Sequence, residues 1–140
     1  MKQHLFMNRR FSADLKNLSI SANMVRECRS VLSMDEKTGQ EVDLAVSEAV
    51  SNAIRHTSPT ENSSVVLRLI SDKQKLIIEV EDYGPGFDFE LIQSPDLDIP
   101  QEGGYGLFLI KQVMNEVRYE RRPDCNVLTM EKELAPQGEK

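Results

Sequence analysis

Glu48, Asn52 and His56 recur at a spacing of four within a stretch rich in valine and alanine. On a helix that spacing stacks them on a single face, beside the apolar stripe. Glutamate is a good helix former, whereas asparagine competes for backbone hydrogen bonds and is poor in helix interiors. One account of the pair is a solvated polar stripe, which is the better reading of these residues taken alone. The other is chemical: the amide oxygen of Asn52 coordinates Mg2+, which takes oxygen ligands and keeps several waters, while Glu48 serves as a general base. Arg55 and His56 close the stretch. Both suit the negative end of a helix dipole, the preferred reading for His56, and Arg55 is long enough to reach a phosphate.

A second set begins at Asp82, in Asp82-Tyr83-Gly84-Pro85-Gly86-Phe87. The run before it reads as a strand, so Leu76, Ile78, Val80 and Asp82 share one face. The first three are apolar, which makes Asp82 the end of an inward-facing row. A buried carboxylate needs donors, and the glycines let the backbone turn and a ligand come close. On turn chemistry alone, a surface turn capped by Asp82 is the better reading. If Asp82 does meet a ligand, it selects the base. A carboxylate accepts hydrogen bonds, which matches the exocyclic amino group of adenine and opposes the carbonyl of guanine at that position.

The third set is Gly103, Gly104 and Gly106, directly ahead of an apolar run at helical spacing. Backbone N–H groups at a helix start attract phosphates, and glycines permit close approach. The plain alternative is a flexible helix entry. A P-loop is excluded because no G-x-x-x-x-G-K-[ST] occurs, and Phe89 stands where a dinucleotide fingerprint would need its third glycine.

The elements that must position these sets follow from periodicity. A first strand is expected over residues 5 to 15, with Phe6 and Phe11 in the core. Ser21 caps a helix over 22 to 32, whose buried positions are Val25, Cys28, Val31 and Leu32. Gly39 argues for a break. A second helix spans 40 to 56, with Val42, Ala45, Val46, Ala49, Val50, Ala53 and Ile54 as its stripe. Residues 57 to 62 are a loop. Strands over 64 to 70 and 76 to 82 form an antiparallel hairpin turned at 71 to 74. Residues 88 to 102 hold Pro95, Pro100 and five acidic residues, and read as a lid. A third helix starts at the glycines, with Leu107, Ile110, Met114 and Val117 at helical spacing. Strands over 117 to 122 and 126 to 133 close the chain around Pro123-Asp124, and 135 to 140 is a frayed tail. Antiparallel pairs with grouped helices imply an α+β two-layer sandwich, a mixed but mainly antiparallel sheet with helices on one face.

Composition narrows the function. The 140 residues fit one domain, spanning 1 to 140. With 17 Lys and Arg against 23 Asp and Glu, the net charge is −6, and no basic stripe is present, so direct nucleic-acid binding is not expected. Cys28 and Cys125 lack metal-ligand spacing and read as one core thiol and one loop thiol. No apolar run approaches the about 18 residues of a membrane span, and the N-terminus lacks a signal-peptide core, so a cytoplasmic location without membrane contact is expected.

Together the ordered motifs, Glu48-x-x-x-Asn52, Asp82-x-Gly84-x-Gly86 and Gly104-x-Gly106, resemble the GHKL superfamily of ATPases with the Bergerat nucleotide-binding fold. The resemblance runs from about Phe6 to Leu134. Within it, the segments from Leu44 to His56 and from Gly103 to Ile110 look most like the bacterial anti-sigma-factor serine/threonine kinases. That resemblance implies ATP and Mg2+ as cofactors, Asp82 on the adenine amino group, Asn52 on Mg2+ and Glu48 as the base for a substrate hydroxyl. Gly84, Gly86, Gly104 and Gly106 would shape the pocket and phosphate cradle, with Arg55, Tyr105 and Leu107 also at the nucleotide. The implied substrate is a STAS-domain antagonist, inactivated by phosphorylation, that otherwise competes with a sigma factor for a homodimeric kinase. One departure is that Gln101 and Glu102 stand where some relatives carry an arginine for the terminal phosphate. Two alternatives remain alongside: a nucleotide-binding regulator that sequesters a partner without chemistry, and an isolated histidine-kinase-type ATPase domain.

Overall fold

The computed structural model describes residues 4–57, 63–72, 74–86 and 104–134, apart from the side chains of Gly104 and Tyr105. The expected lid over 88 to 102, the tail over 135 to 140, Phe87, Gly103 and most of the 57 to 62 loop lie outside the described residues.

Strand β1 covers Leu5–Ser12 and a 3-10 turn covers Leu15–Asn17; helix α1 is Leu18–Val31 and α2 is Glu36–His56. Then follow β2 (Ser64–Ser71), β3 (Lys75–Asp82), α3 (Gly104–Val113), β4 (Glu116–Arg121) and β5 (Asn126–Glu133). The five strands form one sheet in the order β1-β2-β3-β5-β4. Every pairing is antiparallel, so the sheet is not mixed among the described residues. The sandwich is α+β, as the periodicity implied.

Alternation along β2, β3 and β5 builds one face of the core. Leu67, Leu69, Leu76, Ile78, Val80 and Met130 are all buried, facing the helices as strand geometry requires. The α2 stripe meets them: Val42, Ala45, Val46, Ala49 and Val50 are buried as expected. Helix α2 packs against both α1 and α3, which makes it the central helix of that layer. The opposite face of the sheet is mixed, with Phe6, Val66, Ile70, Ile77 and Val127 among charged residues. There Arg68 bridges Glu79 and Glu81, each at 2.7 Å.

Several boundaries differ from the periodicity. β1 stops at Ser12 because Asp14 turns the chain, its side chain accepting from Lys16 N at 3.0 Å. Phe6 is 66% exposed while Phe11 is buried. Five residues apart, they must lie on opposite faces of a strand, so both could not be core residues. Helix α1 begins at Leu18, a full turn ahead of Ser21, and the Ser21 hydroxyl donates to Leu18 O at 2.9 Å instead of capping. Val31, its last residue, is exposed. Val117 belongs to β4, because α3 ends at Val113. There Lys132 Nζ donates to Val113 O at 2.6 Å, and it also pairs with Glu41 at 2.6 Å.

Gly39 does not break α2. Asp35 caps that helix by accepting from Thr38 N at 2.8 Å, and Gly39 sits inside its first turns. A Cβ there would lie 2.2 Å from Arg29 Nε. The Arg29 guanidinium crosses this bare spot to reach Asp43 at 2.6 Å and Glu36 at 3.3 Å. The glycine marks a close approach between helices.

The Cys28 thiol is fully buried, and burial pushes it up to about 12, so it stays protonated and inert. Cys125 lies between β4 and β5, and both cysteines are free. No helix among the described residues is long and apolar enough to cross a membrane. Ser71 Oγ is buried without a hydrogen-bond partner among the described residues. Removing an unsatisfied polar atom costs nothing in lost bonding. Ser71→Ala is therefore expected to leave the melting temperature unchanged or to raise it, and a clear drop in a thermal melt would contradict this.

Candidate functional site

Asp82 closes the inward row of β3 and is 8% exposed. Two donors reach its Oδ1: Gly84 N at 2.9 Å and Asn126 Nδ2 at 3.0 Å. The first is the turn closing on its own carboxylate. The second comes from the first residue of β5, which stands directly opposite Asp82 in the β3–β5 register. Asn126 Nδ2 also donates to Gly84 O at 3.0 Å, so one amide holds both the carboxylate and the turn behind it.

The glycines have separate tasks. Gly84 lies under the end of α2, where a Cβ would be 2.2 Å from His56 O. Gly86 has φ +79°, a left-handed conformation that side chains rarely adopt. Between them, Pro85 O accepts from Arg121 Nη2 at 3.0 Å. The turn is thus fixed to α2 on one side and to the β4–β5 hairpin on the other.

A narrow cleft opens above Asp82. Its α2 wall is Ala49, Asn52, Ala53 and His56. The sheet side supplies Val80, Asp82, Tyr119 and Leu128, with Gly86 at the turn. Small alanines on the helix leave a gap that larger side chains would fill, and the sheet side is largely apolar. Such walls accept a flat ring, and the carboxylate at the base accepts a hydrogen bond from it.

Asn52, 9% exposed, lines this cleft, and His56 lies at its rim as an exposed residue. Glu48 is half-buried one turn further back along α2. Its Oε1 stands only 2.8 Å from where a Cβ of Gly106 would be. That places the carboxylate against the first turn of α3, which starts at Gly104. From Glu48 to His56 the helix rises about 12 Å, at 1.5 Å per residue. Helix α2 therefore spaces two sites: the Asp82 carboxylate near its end and the α3 start two turns earlier.

The structure does not bring every proposed residue to the cleft. Arg55 is exposed and is not among the lining residues. Leu107 is buried in the core. Gly103 and the Tyr105 side chain lie outside the described residues. Asn126 and Tyr119, by contrast, escaped the sequence reading. Asn126 meets Asp82 only through strand register, and no local pattern marks it. Ala49 and Ala53 were legible as apolar stripe but not as cleft wall. Among the described residues no group of three or more His, Cys, Asp or Glu could hold a metal ion. A divalent ion at Asn52 would thus need most of its oxygens from a substrate and from water, which suits Mg2+ held on phosphates.

Comparisons with known proteins show the family and the fold. The model of the histidine kinase-like ATPase domain matches residues 11–132. A Staphylococcus aureus protein called serine-protein kinase RsbW is 33% identical over 100 residues, covering 63% of this chain and 62% of that protein. The RsbW of strain bovine RF122 / ET3-1 is 36% identical over 90 residues, covering 56% of this chain and 55% of its own length. These matches span little more than half of the relatives. The solved RsbU and RsbW domains of Rv1364c from Mycobacterium tuberculosis superpose with a TM-score of 0.67 over 93% of this chain and 32% of that one. At 17% identity that likeness concerns the fold alone.

Proposed function

We propose, from the premise that this chain belongs to the histidine kinase-like ATPase domain family, that it is a Mg-ATP-dependent protein serine/threonine kinase and anti-sigma factor. Its substrate is a STAS-domain antagonist, and phosphorylation of that antagonist leaves the kinase free to hold a sigma factor. The protein works in the cytoplasm as a homodimer. The resemblance to the RsbW kinases supports this reading.

The observation that carries it is the alignment of Asp82, Asn52 and Glu48 along one helix–sheet seam. Asp82 Oδ1 is engaged by Gly84 and Asn126, and neither bond uses Oδ2. An acceptor at the base of an apolar cleft selects the amino group of adenine and leaves a carbonyl unpaired. With the base there, the phosphates extend along α2 toward the α3 start, where backbone N–H groups favour anions. Asn52 lies on the way and would hold Mg2+ by its amide oxygen, and the metal would supply neutralising charge to the phosphates. Glu48 stands beside the α3 start, where it takes the proton from an incoming seryl or threonyl hydroxyl.

Calorimetry tests the nucleotide half of this reading. Wild type is expected to bind ATP in a Mg2+-dependent way. Asp82→Asn replaces an acceptor oxygen with a donor and is expected to weaken binding by roughly tenfold to a hundredfold, the range for a hydrogen bond to a charged group. Equal ATP binding by both proteins would overturn the assignment of Asp82, and no binding by wild type would overturn the kinase reading itself.

A further inference from the structure

The end of the β4–β5 hairpin reaches across to the glycine turn at two consecutive carbonyls. Asn126 Nδ2 donates to Gly84 O at 3.0 Å, and Arg121 Nη2 donates to Pro85 O at 3.0 Å. The two residues face each other in the β4–β5 register, Arg121 opposite Asn126. They differ in burial and in reach. Arg121 is exposed and its bond in the turn is to the Pro85 carbonyl, whereas Asn126 is 4% exposed and also donates to Asp82 Oδ1 at 3.0 Å.

We propose that Asn126 is a positioning residue for base selectivity: its amide orients the Asp82 carboxylate so that an acceptor is presented to the amino group of an adenine nucleotide. This rests on the nucleotide reading given above. A carboxylate can rotate about its Cβ–Cγ bond and accept from any donor within reach. Two donors on the same oxygen, one from the turn backbone and one from the neighbouring strand, fix the plane of the group and occupy that oxygen. A fixed acceptor discriminates between an amino group and a carbonyl more strongly than a mobile one, because the mispaired ligand cannot be accommodated by rotation. Asn126 Oδ1 lies 2.9 Å from where a Cβ of Gly86 would be, so the amide is itself wedged against the turn and has little room to swing away. Selectivity therefore depends on a residue of β5 that does not line the cleft. Arg121 holds the same turn without touching the carboxylate. It supplies the internal comparison, a turn-holding residue with no part in selectivity.

The experiment compares ATP with inosine triphosphate, which differs at the carbon that carries the amino group in adenine. Affinities are measured by calorimetry in the presence of Mg2+ for wild type, Asn126→Leu, Asn126→Thr and Arg121→Ala, each first shown to melt cooperatively. Wild type is expected to prefer ATP. Asn126→Leu removes the donor at similar size, and the preference is expected to shrink by roughly tenfold, the effect of losing one charge-assisted hydrogen bond. Asn126→Thr keeps a hydroxyl donor opposite Asp82 and is expected to restore part of the preference. Arg121→Ala is expected to weaken both nucleotides by the same factor and leave their ratio unchanged. An unchanged ratio in Asn126→Leu, with ATP still preferred by wild type, would overturn this inference and leave the nucleotide reading standing. Loss of preference in Arg121→Ala to the same degree as in Asn126→Leu would show a merely structural role for both. Failure of wild type to bind either nucleotide would remove the nucleotide reading and the inference together.

Discussion

Glu48→Gln is expected to lower the rate of phosphoryl transfer to a STAS-domain antagonist by about a hundredfold or more, within the range for removing a general base. The change keeps size and removes basicity. Glu48 is half-buried and seated against Gly106, and it does not line the cleft above Asp82. Affinity for ATP is therefore expected to stay within a few-fold of wild type, so the loss falls on kcat and not on KM. Gly106→Ala approaches the same step from the other side. Its Cβ would lie 2.8 Å from Glu48 Oε1, and the flexible end of the glutamate would have to yield. A displaced base should also lower kcat, since proton transfer needs hydrogen-bond reach. Transfer assays with the two variants decide the matter. Full activity of Glu48→Gln would remove the base assignment. If ATP binds but wild type transfers no phosphate to any cognate partner, the non-catalytic regulator becomes the correct reading.

Gly84→Ala carries the second large effect, and it has a different origin. A Cβ at this position would lie 2.2 Å from His56 O, 2.9 Å from His56 C and 3.1 Å from Thr57 Cα. These are backbone atoms at the end of α2, so no side-chain rotation relieves the clash. Either the turn or the helix end must shift. The shift would disturb the Gly84 N–H bond to Asp82 and the Asn126 bond to Gly84 O together. Overpacking of this kind costs typically about 1–3 kcal/mol, which for a domain of this size lowers the melting temperature by several degrees. Nucleotide binding is expected to fall below detection, because the acceptor and the cleft edge move with the turn. The comparison is Gly106→Ala, where the obstructing atom is a side-chain oxygen and the fold should hold. Equal stability and ATP affinity in Gly84→Ala and wild type would show that the turn is not braced on α2 as described.

The two glycines also divide what could be read locally from what could not. Their presence in a turn and at a helix start was legible, because glycine after a strand or before an apolar run has a local meaning. Their contacts were not. His56 meets Gly84 and Glu48 meets Gly106 only because α2 crosses the sheet at a particular height. Gly39 shows the same limit in reverse. Locally it reads as a helix breaker, but the crossing of Arg29 over it, from α1 to Asp43 and Glu36, makes a small residue fit inside a continuous helix.

By itself the sequence determined the strand rows, the α2 stripe and the order of the motifs. Those follow from periods of 2 and 3.6 and from turn chemistry, all of which act over a few residues. It also implied that Asp82 points inward, since Leu76, Ile78 and Val80 set the face on which it lies. The tertiary structure alone decided which partners those residues meet. Asn126 comes opposite Asp82 through β3–β5 register, across a separation of 44 residues. Phe6 faces outward because Leu5 and Phe11 take the inner face of an edge strand. Ala49 and Ala53 become cleft wall instead of ordinary core because Asp82, Tyr119 and Leu128 stand across from them. Such pairings depend on long-range packing and register, and a chain carries no local mark of them.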